Sequence, residues 1–558
     1  MSRKARSTVW FWLAPLAFLA VFFFYPLAAI LRLAGVQALL QGISSLDWAI
    51  VGQSLEFTLW QALLSTALTL LIGLPAAYLF ARYQFAGKPL LLALTTIPFI
   101  LPTVVVAAGF NALLGPNGWI NLGLMALFNL SSPPIQFLNT LGAILLAHVF
   151  YNTTIVIRVV GNAWSQLDRR IEQAGQVLGA HPLRNFLEIS LPLLRQSILA
   201  ASLLVFLFDF TSFGVILLLG GPQFATLEVS IYIQTMQMLN LPLAGLLSAI
   251  QLLCTLLMTV LSGQLNRRQD APLLPRLRGE GSRRPETWRG RFFVGGMVLL
   301  LLLLLVLPMA ALTARSFVRL EANRGERGAV QTGLTLEYYA DLFVNQRDSI
   351  FYVPPVDAAL NSLEYATITT IISIGLGFLT VYALAHPRRV DQAFGTLMML
   401  PLGTSAVTLG LGFVVVFNRP PLSVGTFPLL IPIAHSLIAL PFVVRTMQPA
   451  LASIPNTLRQ AAAVMGASPR RVWWEVDLPI LAQAALVSAM FAFTISLGEF
   501  GATSFLANPE NPTLPVAIYR FLSLPGASNY GQAMAMATLL MALCGGSILA
   551  FERIGGNR

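Results

Sequence analysis

Two carboxylates and two histidines lie inside long apolar stretches of this 558-residue chain. Asp209 stands in "LFDFTSF" and Glu499 in "SLGEFGA", and His148 and His435 each begin a matching apolar run. A charged group at bilayer depth costs about 2.5–3.5 kcal/mol on insertion scales, so such a group usually faces a cavity or a partner. Lone histidines in apolar helices are more typical of hydrogen-bonded packing residues than of ligands.

Two interpretations of the acids stay open from the sequence. In the first, Asp209 and Glu499 line a pathway for a cationic solute, together with Ser212 and Thr503 beside them. In the second, both acids are structural carboxyls that accept hydrogen bonds from neighbouring Ser or Thr residues. No His, Cys, Asp or Glu cluster has the spacing of a metal site, and no nucleophile pattern predicts a catalytic residue.

A polar segment also occurs twice. "EQAGQVLGAHPLRNFLEISLPLL" and "RQAAAVMGASPRRVWWEVDLPIL" are offset by 287 residues. Glycine permits a turn that a helix interior resists, and proline is well suited to starting the next helix. We therefore predict an elbow in each copy: a helix, a break at Gly179 or Gly466, a second short helix, and a stop at the Leu-Pro pair.

The elements that must position these residues are membrane helices. The chain is 56% hydrophobic and 10% charged, whereas soluble proteins carry about 25% charged residues. Its apolar runs of about 20 residues are long enough to cross a bilayer as helices, and they do not alternate as β-barrel strands would. We predict an all-α polytopic membrane protein with about twelve spans, at roughly 9–31, 55–81, 90–114, 141–161, 197–219, 243–262, 292–314, 360–385, 394–417, 427–448, 482–506 and 531–551.

The two sets of six spans repeat one plan. "HVFYNTTIVIR" from His148 and "HSLIALPFVVR" from His435 share the 287-residue offset of the elbows. An even number of spans per unit keeps the second copy parallel to the first, so we expect an axis along the membrane normal to relate them. The predicted organisation is a first domain at 1–265, a basic cytoplasmic linker at 266–291 and a second domain at 292–558, with elbows at about 165–192 and 452–479.

The placement of charge sets the orientation. The net charge is +11, and with the N-terminus inside, 26 of the 34 Lys and Arg residues fall in cytoplasmic segments, eight of them between Arg267 and Arg291. The positive-inside rule therefore predicts that both termini are cytoplasmic. The basic surplus indicates topology and contact with membrane lipid, and it does not indicate a nucleic-acid partner.

The two elbows resemble the EAA loop of ABC importer permeases, whose pattern is Glu-Ala-Ala, three residues, Gly, nine residues, Ile-x-Leu-Pro. Both copies keep this spacing and replace the Glu by Gln. The coupling positions that the resemblance indicates are Gln173, Ala174, Gly179, Pro182, Leu191 and Pro192 in the first copy and Gln460, Ala461, Ala462, Gly466, Pro469, Leu478 and Pro479 in the second.

This resemblance implies the fold of a type I ABC importer permease, in a bacterial inner (plasma) membrane. It implies that two copies of a cytoplasmic ABC ATPase bind the elbows, that ATP and Mg are held by that partner, and that a solute-binding protein delivers substrate at the outer face. The chain has no phosphate loop of the form GxxxxGK[ST], so we expect it to be a non-enzymatic subunit without a cofactor of its own.

Two permease halves in one chain resemble the branch that serves ferric iron and thiamine. "LLLGGPQFATLEVSIYIQ" and "LLAHVFYN" favour thiamine or its phosphates, whereas "SLGEFGATSFL" is also typical of permeases assigned to iron. A twelve-helix secondary transporter and a membrane enzyme are the alternatives. Against the transporter, "ARYQFAGKPL" between spans two and three lacks the acid common there, and the paired elbows would have no explanation.

Overall fold

The computed structural model describes residues 3–41, 45–179, 181–266, 284–319, 333–344, 354–384, 389–419, 422–423, 426–508 and 510–556. These residues are mostly helical, as predicted for an all-α membrane protein. The strands they contain form two short antiparallel pairs, Val318–Arg319 with Gly333–Leu334 and Asn418–Arg419 with Leu422–Ser423.

The first half consists of long apolar helices joined by short helical segments. Its α-helices are Arg3–Leu19, Tyr25–Gln41, Ser45–Arg82, Lys88–Leu94, Ile97–Ile100, Thr103–Leu114, Trp119–Phe128, Leu141–Gln166, Arg169–Val177, Pro182–Asn185, Leu191–Phe210, Gly214–Leu219, Leu227–Tyr232 and Leu241–Asn266. Its π turns are Ala20–Phe24, Phe186–Ser190 and Ile233–Gln237, and a 3-10 turn lies at Pro222–Phe224.

The second half follows the same plan. Its α-helices are Trp288–Leu305, Leu307–Ser316, Glu337–Ala340, Pro355–Ala383, Arg389–Leu397, Ala406–Val416, Leu430–Ala452, Asn456–Val464, Pro469–Val472, Leu478–Gly498, Thr503–Leu506, Leu514–Ser523 and Ala527–Gly556. A π turn lies at Trp473–Asp477, and 3-10 turns lie at Asp341–Phe343 and Leu400–Gly403.

Nine helices in the described part of the chain are long and apolar enough to cross a membrane, and a tenth is added if one pair bent by 97° forms a single span. The third predicted span of each half, 90–114 and 394–417, is broken into shorter helices. Pro102 precedes one of these helices and Pro401 lies at the bend in the second half, where the missing N–H of proline interrupts the helical ladder. The last predicted span lies within the 30-residue helix Ala527–Gly556.

Each half has a core of three helices packed against one another. In the first half they are Ser45–Arg82, Leu141–Gln166 and Leu191–Phe210, and in the second Pro355–Ala383, Leu430–Ala452 and Leu478–Gly498. The first helix of each half packs against a core helix of the other half. The two halves are therefore interlocked, with the space between the two cores at the centre.

Buried polar contacts join the two halves. The indole Nε1 of Trp12 donates to Asp391 Oδ1 at 2.9 Å. The fully buried carboxylate of Glu228 accepts from Gln251 Nε2 at 2.8 Å and, across the interface, from Ser405 Oγ at 2.7 Å. Because a buried carboxylate without donors is strongly unfavourable, these contacts stabilise the association of the two halves in this conformation.

The predicted linker at 266–291 overlaps the start of a helix. Helix Trp288–Leu305 begins inside it, and Thr287 caps that helix by accepting a hydrogen bond from Gly290 N at 3.2 Å. A threonine before a helix is a standard N-terminal signal. Residues 267–283 of the predicted linker lie outside the described residues.

The crossing of two core helices in the second half depends on Gly377. A Cβ at Gly377 would lie 2.5 Å from Val443 Cγ1, whereas a Cβ at Gly375 would meet nothing within 4 Å. Overpacking a helix contact costs about 1–3 kcal/mol. We therefore expect Gly377→Leu to lower the melting temperature of the detergent-solubilised protein by several degrees and Gly375→Leu to leave it unchanged. Equal melting temperatures for the two variants would contradict this view of the crossing.

Candidate functional site

The two elbows have the same backbone path. In each, a nine-residue helix is followed by a glycine turn and a four-residue helix. The φ angle is +86° at Gly179 and +85° at Gly466, in the left-handed region that favours glycine. The helix, the break and the second short helix lie where the sequence predicted them, with the short helices beginning at Pro182 and Pro469.

The elbows do not stop at the Leu-Pro pairs, which corrects the prediction for Leu191–Pro192 and Leu478–Pro479. A five-residue π turn precedes each pair and joins the elbow to the next long helix. In the first copy the N–H of Leu191 bonds to the carbonyl of Phe186, and the second copy has the equivalent bond. Proline clashes with a carbonyl one turn earlier, and the wider π turn accommodates it without ending the helix.

In each elbow a polar contact joins the nine-residue helix to the π turn. The positions are equivalent in the two copies, but the charges differ. In the first copy, Ser190 Oγ donates to Glu172 Oε1 at 3.0 Å, and Arg82 Nη2 lies 2.7 Å from the same oxygen. In the second copy, Arg459 Nε donates to Asp477 Oδ1 at 2.8 Å. The residue before each motif Gln, Glu172 or Arg459, therefore makes a side-chain hydrogen bond within its own elbow.

Most of the residues predicted to meet a partner are at the surface, and the side chains of Pro182 and Pro469 lie outside the described residues. Gln173, Ala174, Gly179, Pro192, Gln460, Ala461, Gly466 and Pro479 are exposed, while Leu191, Ala462 and Leu478 are half-buried. Each elbow also exposes two large apolar side chains that sequence reasoning did not single out: Val177 and Leu178 are 87% and 88% exposed, and their counterparts Val464 and Met465 are 88% and 81% exposed. We call these four residues the apolar tips.

A cavity of about 650 Å³ lies between the two cores. Asp209, Glu499 and Ser212 line it, whereas Thr503, the fourth predicted pathway residue, is not among the lining residues and contacts Glu499. Much of the remaining wall is aromatic, with Tyr151, Phe208, Phe213, Phe442, Phe491 and Phe500 contributed by both halves. The structure thus brings the two acids, 290 residues apart in sequence, to one site.

Asp209 is buried among polar side chains and is only partly satisfied by them. Its Oδ1 accepts from Asn152 Nδ2 at 2.6 Å and lies 3.4 Å from His148 Nδ1. The same histidine contacts Ser212 Oγ at 2.8 Å and Ser65 Oγ at 2.9 Å. The second oxygen, Oδ2, has no hydrogen-bond partner among the residues that the structure describes.

Glu499, in contrast, is satisfied on both oxygens. Its Oε1 accepts from Ala502 N at 2.8 Å, and its Oε2 accepts from Thr503 N at 3.0 Å and Thr503 Oγ1 at 2.7 Å. His435 Nε2 lies 3.1 Å from Oε2, and its Nδ1 contacts Ser496 Oγ at 2.7 Å. This carboxylate therefore caps the start of the following helix.

The two clusters are equivalent, but the acid and the serine have exchanged places. Asp209 and Ser496 are separated by the repeat offset and both face the Nδ1 side of the histidine, whereas Ser212 and Glu499 both face its Nε2 side. Aligning the acids with each other hides this exchange. The signal that reveals it is the 287-residue offset of the histidines.

An aromatic layer bounds the cavity on the side away from the elbows. Phe213 and Phe500, which are equivalent residues of the two halves, stack with ring centroids 5.6 Å apart and an interplanar angle of 21°. Tyr232 and Tyr519 pack against them at 5.4 and 5.5 Å. Arg445 lines the wall on the elbow side and is exposed. The cavity is therefore blocked at one end and accessible from the other.

Comparison with known proteins supplies an independent view. Residues 371–554 match the family described as "binding-protein-dependent transport system inner membrane component". The chain is 27% identical to a probable ABC transporter permease protein of Sinorhizobium fredii, covering 100% of this chain and 99% of the relative. It is 25% identical to a thiamine transport system permease protein of Escherichia coli, covering 95% of each, and 26% identical to one of Brucella abortus, covering 90% and 88%. The resemblance that the elbows predicted is confirmed.

Proposed function

We propose that this chain, a multi-pass membrane permease of the ABC importer class with two fused halves, forms the pathway by which thiamine or its phosphates are imported. The observation that carries the proposal is the pairing of two matched elbows with an acid-bearing cavity between the halves. Relatives that share nearly the full length of the chain and are named as thiamine permeases support the substrate.

We assign the elbows as the surfaces at which the permease binds its ATPase. Their apolar tips are too exposed to stabilise the fold, and they lie at equivalent positions on the two halves. A partner with two identical sites, the cytoplasmic ABC ATPase in two copies, fits this arrangement. ATP and Mg are bound by that partner, and its closure moves the halves because it contacts them differently in its two states.

The orientation follows from the elbows. With the elbows and both termini on the cytoplasmic side of a bacterial inner membrane, the aromatic layer faces outward and the accessible end of the cavity faces the cytoplasm. The structure then corresponds to an inward-facing state. A solute-binding protein delivers the substrate to the outer face when the layer opens.

The cavity suits an organic cation with aromatic rings. Its volume of about 650 Å³ lies within the roughly 300–1,000 Å³ range of small-molecule sites. Aromatic faces attract cations by about 0.5–2 kcal/mol each, and a carboxylate adds charge complementarity. Thiamine combines a fixed positive charge with two aromatic rings, so it matches both the carboxylate and the aromatic side chains of the wall.

Reconstitution tests the proposal. We expect proteoliposomes containing this permease and its ATPase to import radiolabelled thiamine when supplied with internal ATP and the external binding protein. Import should persist in the presence of an uncoupler, because no ion gradient drives it. Transport that needs an ion gradient and ignores ATP would instead identify a secondary transporter.

A further inference from the structure

We infer that the permease binds the solute's positive charge through its first half alone, at Asp209, and that the acid of the second half, Glu499, is structural. The inference rests on the proposed function and deepens it by assigning the substrate subsite. It distinguishes two acids that line the same cavity and that the sequence treats alike.

The contacts of Asp209 leave one oxygen for a ligand. Its side chain is only 1% exposed, and Asn152 and His148 both lie against Oδ1. Oδ2 is buried with no donor among the described residues. Most buried polar side-chain atoms have a hydrogen-bond partner, so the unpaired oxygen of a residue that lines the cavity indicates a missing one. A cation in the cavity supplies that partner.

The contacts of Glu499 leave no such opening. Three donors from Ala502 and Thr503 occupy its two oxygens, and His435 lies beside one of them. A cation that approached Glu499 would have to compete with these short-range bonds. Loss of the Glu499 charge therefore weakens the local fold rather than the attraction for substrate.

The other charged groups of the wall do not neutralise Oδ2. His148 contacts the other oxygen of Asp209, and His435 lies beside Glu499. Arg445 follows His435 by ten residues on one helix, roughly 15 Å along its axis, on the elbow side. The negative end of the cavity is thus beneath the aromatic layer, and the positive end is at its accessible mouth.

The surroundings of Asp209 select a flat, weakly hydrated cation. Phe208 immediately precedes Asp209, Phe213 follows it by four residues, and Tyr151 lies one turn along the helix that carries His148. All three line the cavity. Aromatic faces stabilise a desolvated delocalised cation, whereas a small hydrated ion loses its water without replacement ligands. The site therefore suits a heteroaromatic cation such as a thiazolium.

The test measures equilibrium binding without the binding protein. We expect radiolabelled thiamine to bind the purified permease–ATPase complex saturably, and Asp209→Asn, which preserves the side-chain shape, to weaken that binding at least tenfold. The same substitution should change the affinity for a neutral thiophene analogue of thiamine by no more than about twofold, because that analogue has no positive charge. The tenfold loss expected for thiamine corresponds to about 1.4 kcal/mol of charge interaction. The melting temperature should stay at the parent value.

Glu499→Gln is the matched comparison. We expect it to lower the melting temperature of the complex and to leave the thiamine affinity of the folded fraction within about twofold. Unchanged thiamine binding in Asp209→Asn, or an equal loss of affinity in both variants, would overturn the one-sided subsite. A parent complex that imports thiamine but does not bind it would also overturn it. A parent that does not import thiamine would instead defeat the proposed function before any variant is compared.

Discussion

Replacing both Gly179 and Gly466 by valine is expected to abolish ATP-driven import. Each glycine has a φ near +85°, which costs L-residues roughly 1–2 kcal/mol and is least tolerated by β-branched side chains. A Cβ at either position would meet nothing within 4 Å, so the backbone conformation alone is tested. The valine variant must reshape both turns, which separates the short helices and moves the apolar tips away from their positions.

Asparagine provides the matched control for the glycine turns. It tolerates the left-handed region better than other non-glycine residues, so Gly179→Asn with Gly466→Asn should retain most import. The measurements are ATP-dependent uptake in proteoliposomes and the amount of ATPase that co-purifies with the permease. Wild-type uptake by the double valine variant would remove the elbows from the coupling mechanism.

Deleting the stacked rings of Phe213 and Phe500 is expected to open the cavity to the outer side. Both rings are buried, and truncating a buried phenylalanine to alanine costs about 3–5 kcal/mol of packing. Only the state in which the rings meet across the two halves loses this packing energy. We therefore expect the equilibrium constant between the closed and the open outer end to shift toward the open state, by up to a few orders of magnitude.

Cysteine labelling measures this opening. In a background with Cys254→Ser and Cys544→Ser, the cavity residue Thr494 is changed to cysteine and exposed to a membrane-impermeant maleimide from outside. We expect labelling only when Phe213 and Phe500 are alanine. Alanine at Phe206 and Phe210, a stacked pair with centroids 6.0 Å apart outside the cavity wall, is the control and should leave the cysteine protected. Equal protection in both double variants would show that the aromatic layer does not seal the cavity.

Features of the protein that depend on local chemistry were predictable from the sequence. Continuous apolar runs predicted the membrane class, and the spacing of glycine and proline predicted two elbows with turns at Gly179 and Gly466. These predictions succeeded because a left-handed turn or an apolar span needs only neighbouring residues. The local pattern was misleading at the Leu-Pro pairs. Proline was expected to end each elbow there, but a π turn before each pair lets the helix continue through it.

The different roles of the two acids were not predictable without the fold. Asp209 and Glu499 look alike in sequence. Asn152, from another helix, donates to only one oxygen of Asp209, whereas Ala502 and Thr503, three and four residues after Glu499, satisfy both of its oxygens. The contact between Phe213 and Phe500 likewise joins residues 287 positions apart. Hydrogen bonds and ring contacts act over a few ångströms, so whether a buried carboxylate is free or occupied depends on which helices the fold places beside it.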